Sequence, residues 1–145
     1  MSENVSTFRQ AFDLLCDKRI GYGMSRSVFS SKLLPNSVIK VEEGAGQFQN
    51  VVEWETFQRV KGTPYSRWFA ECQWISPNGT ILIMERTRPP APSEFLNMMP
   101  VFLCDFKRTN YGISENWLVC HDYGTSLIFE HGMTKRMRKA NWYDA

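Results

Sequence analysis

Two neighbouring polar stretches organise this chain: Asp105-Phe106-Lys107-Arg108-Thr109-Asn110 and, shortly after it, Asp122-Tyr123-Gly124. The first follows an apolar run, Val101 to Cys104, which we expect to anchor the polar loop in the core. The second follows a predicted strand, Trp117 to Cys120. An aspartate in such a loop more often caps or closes a turn than it catalyses, so neither stretch alone identifies a site.

Two further stretches lie upstream. Gly21-Tyr22-Gly23-Met24-Ser25-Arg26-Ser27-Val28-Phe29 places glycines beside a predicted strand, and Val38-Ile39-Lys40-Val41 is a β-branched run that contains a lysine. The pattern predicts a β-hairpin whose first turn holds the glycines, with Lys40 on the same face of its strand as Glu42. Taken alone, a lysine in a strand is usually a solvated edge residue, and a Gly-x-Gly pair is usually an ordinary turn.

Residues 49–60 have the spacing of a helix. Asn50, Glu53, Phe57 and Val60 fall on one stripe, so Glu53 lies on a mostly apolar face, where a charge needs a partner. Lys40 is the obvious candidate for that partner. Glu55 is the rival carboxylate, and the alternative is that both glutamates are solvated surface charges.

Other segments complete the predicted α+β organisation. Residues 5–16 predict an amphipathic helix with Val5, Phe8, Ala11, Phe12 and Leu15 on its apolar face. Residues 68–75 and 80–85 predict two strands around a Pro-Asn-Gly turn. Residues 111–112 and 114–116 predict a turn, and residues 126–129 predict a strand or an irregular stretch.

Taken together and in this order, the four stretches resemble motifs of the protein kinases, in the reduced form of a minimal bacteriophage-type kinase-like protein. They correspond to the glycine-rich loop, the phosphate-pairing lysine, the catalytic loop and the metal-binding Asp-Phe-Gly. The resemblance implies one kinase-like domain over residues 1–145. Residues 1–85 would form an N-lobe with an antiparallel sheet of about five strands and a helix, and residues 86–145 a truncated C-lobe carrying the catalytic loop and Asp-Tyr-Gly.

The resemblance also implies roles for individual residues, with ATP and magnesium as cofactors. Asp105 would orient the acceptor hydroxyl, Lys107 would neutralise the transferring phosphoryl group, and Asn110 and Asp122 would bind the magnesium ion. The residues that would bind the nucleotide are Gly21, Gly23, Val28, Lys40, Glu53, Met84 and Glu85. Met84 is equally well explained as plain core.

The sequence departs from the family pattern at three places. Arg26 replaces the third glycine, either crowding the phosphates or pairing with one of them. Leu103 and Cys104 replace the usual His-Arg, and no Ala-Pro-Glu follows Gly124.

Two functions are therefore expected. One is a phosphotransferase that uses ATP and magnesium and acts on a hydroxyl of a protein, at serine or threonine, or of a small molecule. The other is a weakly active or inactive pseudokinase-like phage protein that binds and modulates a host protein.

Composition limits the remaining possibilities. The 145 residues fit one domain, and 43% hydrophobic with 22% charged residues is typical of a globular protein. A net charge of +2 is too small to imply a nucleic-acid partner, and no apolar window approaches the ~18 residues of a membrane span. The four cysteines are widely spaced, which favours free thiols in the cytoplasm, or in the host cytoplasm if the protein is viral.

Overall fold

The computed structural model describes residues 2–23, 25–43 and 48–144, but not the side chains of residues 2–6 and 8. Within these ranges the protein is α+β, with a five-stranded antiparallel sheet and three α-helices. The sheet has the order β1-β2-β3-β5-β4, formed by β1 Arg19–Tyr22, β2 Arg26–Ser30, β3 Ser37–Glu42, β4 Cys72–Ile75 and β5 Ile81–Glu85. The helices are α1 Ser2–Leu15, α2 Gln49–Val60 and α3 Ile128–His131. Two small sheets pair β6 Met98–Pro100 with β9 Met137–Lys139, and β7 Tyr111–Ser114 with β8 Trp117–Cys120.

The β-branched run forms a strand as predicted, and this strand, β3, is the centre of the large sheet. Lys40 lies opposite Val28 of β2 and opposite Leu82 of β5. The first four residues of β3 are buried, which shows that both faces of the strand are covered. A lysine in this strand is therefore withdrawn from water and must be paired.

Helix α2 has the predicted bounds and buries the predicted stripe, with Thr56 joining it. Its first turn is capped by the Glu42 carboxylate, whose oxygens lie 2.9 Å from Gln49 N and 2.8 Å from Asn50 N. A carboxylate at this position satisfies free backbone N–H groups and complements the positive end of the helix. The helix stops before Gly62, which has a φ of 78° that a glycine adopts readily.

The core continues from the sheet into the segment that carries the two polar stretches. Phe69 packs against Tyr123 at a ring-centroid distance of 4.9 Å and against Phe102 at 5.8 Å. All three rings are buried. These contacts fix the polar loops relative to the sheet.

Three local predictions were wrong. The segment predicted as one strand over 68–75 begins with a 3-10 helix, Pro64–Trp68, and becomes a strand only at Cys72. Tyr111 and Gly112, predicted in a turn, belong to β7, and the turn is confined to Glu115 and Asn116. The stretch 126–129, predicted as strand or irregular, leads into α3, whose Ile128 is fully buried.

Helix α1 is present, and part of its predicted apolar face can be assessed. The predicted apolar positions Val5 and Phe8 lie outside the described side chains. Ala11 and Phe12 are exposed and Leu15 is half-buried, although the Phe12 ring meets Phe29 edge-on at 6.1 Å. These three described positions are therefore less buried than predicted.

Candidate functional site

A cavity of about 1120 Å³ lies between the β1–β2 hairpin and the loop at 107–110. Its walls also include the end of β5, the segment that follows β5, and Asp122. The predicted site residues that line it are Gly21, Gly23, Val28, Lys40, Glu85, Lys107, Asn110 and Asp122. The cavity therefore brings together residues from five separated stretches of sequence, and its volume is at the upper end for ligand sites in proteins.

The ion pair predicted between Lys40 and Glu53 is confirmed. Lys40 Nζ lies 2.8 Å from Glu53 Oε1, and both side chains are almost completely buried. Lys40 Nζ also donates a hydrogen bond to the His121 carbonyl oxygen. Glu55, the rival carboxylate, is exposed on the other side of the helix.

Glu53 does more than pair with one lysine. Its carboxylate also accepts hydrogen bonds from Tyr123 N at 2.9 Å and Gly124 N at 3.1 Å, and it forms a two-pronged pair with Arg26 at 2.8 and 2.9 Å. Burial alone would raise the pKa of Glu53, but the Lys40 and Arg26 cations outweigh it and lower the pKa to about 2. This carboxylate therefore stays ionised and joins the sheet, helix α2 and the loop at 122–124.

Arg26 is the largest departure from the expected site. Its guanidinium bridges Glu53 and Asp122, with Nη2 2.8 Å from Asp122 Oδ1. Burial lowers the pKa of Arg26, but the carboxylates of Glu53 and Asp122 outweigh it and raise the pKa. The two expectations for Arg26 were that it crowds the phosphates or pairs with one of them. Its guanidinium is instead paired with the carboxylates of Glu53 and Asp122. The hairpin register contains a signal for this, since it places Arg26 opposite Glu42 and on the same face as Lys40.

Asn50 is a second residue whose importance the sequence did not reveal. It is fully buried, and its Nδ2 lies 3.1 Å from Lys40 O and 3.0 Å from both Gly79 O and Thr80 O. Its Oδ1 accepts a hydrogen bond from Arg26 Nη1 at 3.1 Å. One side-chain amide thus joins helix α2 to the central strand β3 and to the turn before β5. The available signal was a polar residue on the helical stripe that also carries Phe57 and Val60.

The two predicted catalytic residues are placed differently. Lys107 lines the cavity, whereas Asp105 lies beside it, exposed, with a φ of 54°. Asp105 Oδ2 accepts a hydrogen bond from Asn110 Nδ2 at 3.1 Å, and Oδ1 accepts one from the Tyr143 hydroxyl. Tyr143 was not predicted as a site residue, because no local pattern relates it to a loop 38 residues earlier.

Asn110 and Asp122, the predicted metal ligands, both face the cavity. Among the described residues, Asn110 Oδ1 and Asp122 Oδ2 have no hydrogen-bond donor, while Asp122 Oδ1 is held by Arg26. Two free oxygen atoms beside a cavity fit a magnesium ion that takes its remaining ligands from phosphate and water. No group of three or more His, Cys, Asp or Glu side chains in the described ranges is arranged to hold a metal without such help.

His121 is not a metal ligand. Its Nε2 lies 2.7 Å from Thr109 O and its Nδ1 lies 2.8 Å from Thr87 Oγ1. A carbonyl oxygen only accepts, so Nε2 carries the proton and Nδ1 accepts from the threonine hydroxyl. Both ring nitrogens are therefore engaged in positioning the strand end before Asp122.

The remaining predicted residue, Met84, is fully buried and does not line the cavity. It pairs with Val38 across the sheet, and Val38 rather than Met84 supplies the apolar wall beside Val28. Beyond Glu85 the wall continues through Arg86, Thr87 and Arg88. The nucleotide-contact prediction for Met84 therefore has no direct support, and its role as plain core has.

The predictions about thiols and membrane spans concern the whole chain. All four cysteines are free, with Cys16, Cys72 and Cys120 buried and Cys104 partly exposed. No helix in the described ranges is long and apolar enough to cross a bilayer.

No protein-family model matches the chain and no curated protein is significantly similar to it.

Proposed function

We propose that this chain is a minimal protein-kinase-like phosphotransferase that binds ATP with magnesium in the cavity. The observation that carries the proposal is the convergence on one cavity of predicted residues from the glycine hairpin, β3, the loop at 107–110 and Asp122, above a buried ion pair of Lys40 and Glu53. In this interpretation residues 1–85 act as a kinase-like N-lobe and residues 86–145 as a reduced C-lobe. Charged side chains gathered around a hollow are typical of ligand sites, and this supports the proposal.

The polar lining matches the charge of a triphosphate. Lys40 and Lys107 both line the cavity, so a phosphate chain bound there would lie close to two cations. Gly23 also faces the cavity, and a Cβ placed there would meet no atom within 4 Å. Packing therefore does not require glycine at this position, and the missing side chain leaves room for a ligand to approach the backbone.

The remaining residues would position the acceptor and the metal. Asn110 Oδ1 and Asp122 Oδ2 would hold the magnesium ion, which would neutralise charge on the phosphates. Asp105 would orient the acceptor hydroxyl and take its proton. The hydrogen bond from Asn110 Nδ2 to Asp105 Oδ2 links these two tasks, because it fixes the carboxylate relative to the metal ligand.

The experiment is thermal unfolding of the chain with and without ATP and magnesium, followed by an assay for phosphate transfer to added proteins. A ligand at ~100 times its dissociation constant adds about 2.7 kcal/mol to the free energy of unfolding. Lys107→Ala should reduce the shift, whereas the exposed Lys135→Ala should leave it unchanged. The absence of any shift in the parent chain would refute nucleotide binding.

One observation favours the second candidate, a pseudokinase-like protein that binds a nucleotide and modulates a host protein without turnover. Arg26 already occupies Asp122 Oδ1, so a metal must share this carboxylate with a guanidinium. If this candidate is correct, ATP stabilises the chain equally with and without magnesium, and no phosphate reaches any acceptor. A shift that requires magnesium, together with phosphate transfer, would exclude it.

A further inference from the structure

The hydroxyl of Tyr143 lies against Asp105, the residue proposed above to orient the acceptor hydroxyl. It donates a hydrogen bond to Asp105 Oδ1, the free oxygen of the carboxylate that Asn110 fixes through Oδ2. The proposed base thus has one oxygen held by the site and the other in contact with a hydroxyl of the same chain. Tyr143 remains 43% exposed although its hydroxyl is held, so solvent and a ligand can still reach it.

The segment around Tyr143 is docked along the loop like a bound peptide. Tyr143 N lies 3.0 Å from Phe106 O, Arg108 N lies 2.9 Å from Tyr143 O, and the two segments form a parallel bridge at Lys107. Asp144 pairs with Arg108 at 3.1 Å. Backbone hydrogen bonds of this type hold extended peptides against an exposed strand or loop.

Trp142 anchors the docked segment beside the site. Its ring meets those of Phe95, Phe106 and Tyr111 at 4.9, 5.3 and 4.8 Å, and its Nε1 donates to Leu96 O at 2.7 Å. This cluster makes the docking of Tyr143 a property of the fold. The next residue, Asp144, lines the cavity, so the segment reaches the proposed nucleotide site.

We propose that Tyr143 is a modification site, the acceptor of a phosphoryl group transferred within one chain from the bound nucleoside triphosphate. This inference rests on the proposed function. The bond between Tyr143 Oη and the γ-phosphorus forms as the bond from that phosphorus to the β,γ-bridging oxygen breaks, and the nucleoside diphosphate leaves. Asp105 Oδ1 takes the hydroxyl proton and releases it to water. The hydrogen bond to Asp105 raises the pKa of Tyr143, so the phenol is protonated at neutral pH and needs such a base.

The chain contains its own control tyrosine. Tyr22 also lines the cavity and is more exposed, at 79% of its surface, but it lies on the glycine hairpin away from Asp105. Incubation of the full chain with ATP and magnesium, followed by peptide mass spectrometry, should find phosphate on Tyr143 and none on Tyr22. Labelling should proceed at a fractional rate independent of protein concentration. Phosphate on Tyr22 instead, or a fractional rate proportional to protein concentration, would overturn the intramolecular transfer to Tyr143.

Two variants separate this inference from the proposed function. Tyr143→Phe should abolish self-labelling yet keep the thermal shift with ATP, and Asp105→Asn should do the same. Transfer to an added protein while Tyr143 stays unmodified would overturn the inference and leave the phosphotransferase standing. ATP binding without any transfer would overturn both the inference and the phosphotransferase.

The contact itself has a readout that needs no nucleotide. In a pH titration of ring-labelled tyrosine followed by NMR, Tyr143 should ionise at higher pH in the parent chain than in Asp105→Asn, because the variant lacks the charged acceptor. An unchanged Tyr143 titration in that variant would show that Asp105 does not hold the hydroxyl, which would overturn the inference.

Discussion

Replacing Glu53 by glutamine should destabilise the fold strongly. The substitution keeps the shape of the side chain but removes the charge that two buried cations, Lys40 and Arg26, share at 2.8 Å. Breaking a buried ion pair on one side costs about 3–5 kcal/mol, because the remaining charge is left uncompensated. The pKa of Glu53, lowered from 4.5 to about 2, corresponds independently to about 3 kcal/mol.

Urea denaturation at neutral pH measures this loss. The midpoint should fall with little change in the slope, because the surface exposed on unfolding is the same. The matched control is Glu55→Gln, on the same helix but exposed, which should change the free energy of unfolding by no more than about 0.5 kcal/mol. A loss below about 1 kcal/mol for Glu53→Gln would refute the central role given to this carboxylate.

The free energy of unfolding should depend differently on pH in the parent chain and in Glu53→Gln. Since the folded pKa of Glu53 lies below the unfolded one, its contribution is complete above about pH 4.5 and is lost as the pH falls towards 2. Glu53→Gln has no such group, so the stability difference between parent and variant should narrow over that range. A difference that stays constant down to pH 2 would contradict the assigned pKa.

Three further predictions test the surroundings of the site. Asn50→Ala should lower the free energy of unfolding by about 1–3 kcal/mol, because it leaves buried carbonyl groups without a donor; a neutral effect in urea denaturation would contradict this. Gly112→Ala should lower the free energy of unfolding by about 1–3 kcal/mol, because the new Cβ would lie 2.1 Å from the Thr87 hydroxyl oxygen. Gly23→Ala, whose Cβ would meet no atom within 4 Å, should change it by less than about 0.5 kcal/mol. Equal losses in the two variants would refute the packing argument. In the native state a thiol reagent should modify Cys104 before Cys72, whose pKa burial raises to about 12, and mass mapping that finds the reverse order would show that Cys72 is accessible.

Local patterns were sufficient to find the parts of the site that lie in regular elements. Strand alternation placed Lys40 on a defined face, and helical spacing placed Glu53 on the buried stripe, so one ion pair followed from two periodicities. The bounds of helix α2 followed from its stop signal at Gly62. Each of these inferences uses only the spacing of residues within a single strand or helix.

The parts that were missed depend on contacts between distant segments. Arg26 is paired with Asp122, 96 residues further along, and Tyr143 with Asp105, 38 residues earlier. No periodicity within either segment encodes such a meeting, because it depends on how the two halves of the chain pack. The same reason explains α3, since the burial of Ile128 by neighbouring segments outweighs the strand propensity of its β-branched side chain.

Helix α2 is fastened at its start by Glu42 and along its inner face by Asn50 and Glu53. If the helix moved away from the sheet, the buried cations Lys40 and Arg26 would lose Glu53, and several backbone carbonyl groups would lose the Asn50 donor. The free-energy cost would be comparable to the whole stability of a small domain. Displacement of this helix is therefore disfavoured as a way of switching the protein. Substitutions at Asn50 and Glu53 should accordingly cost far more stability than substitutions on the exposed face of the helix.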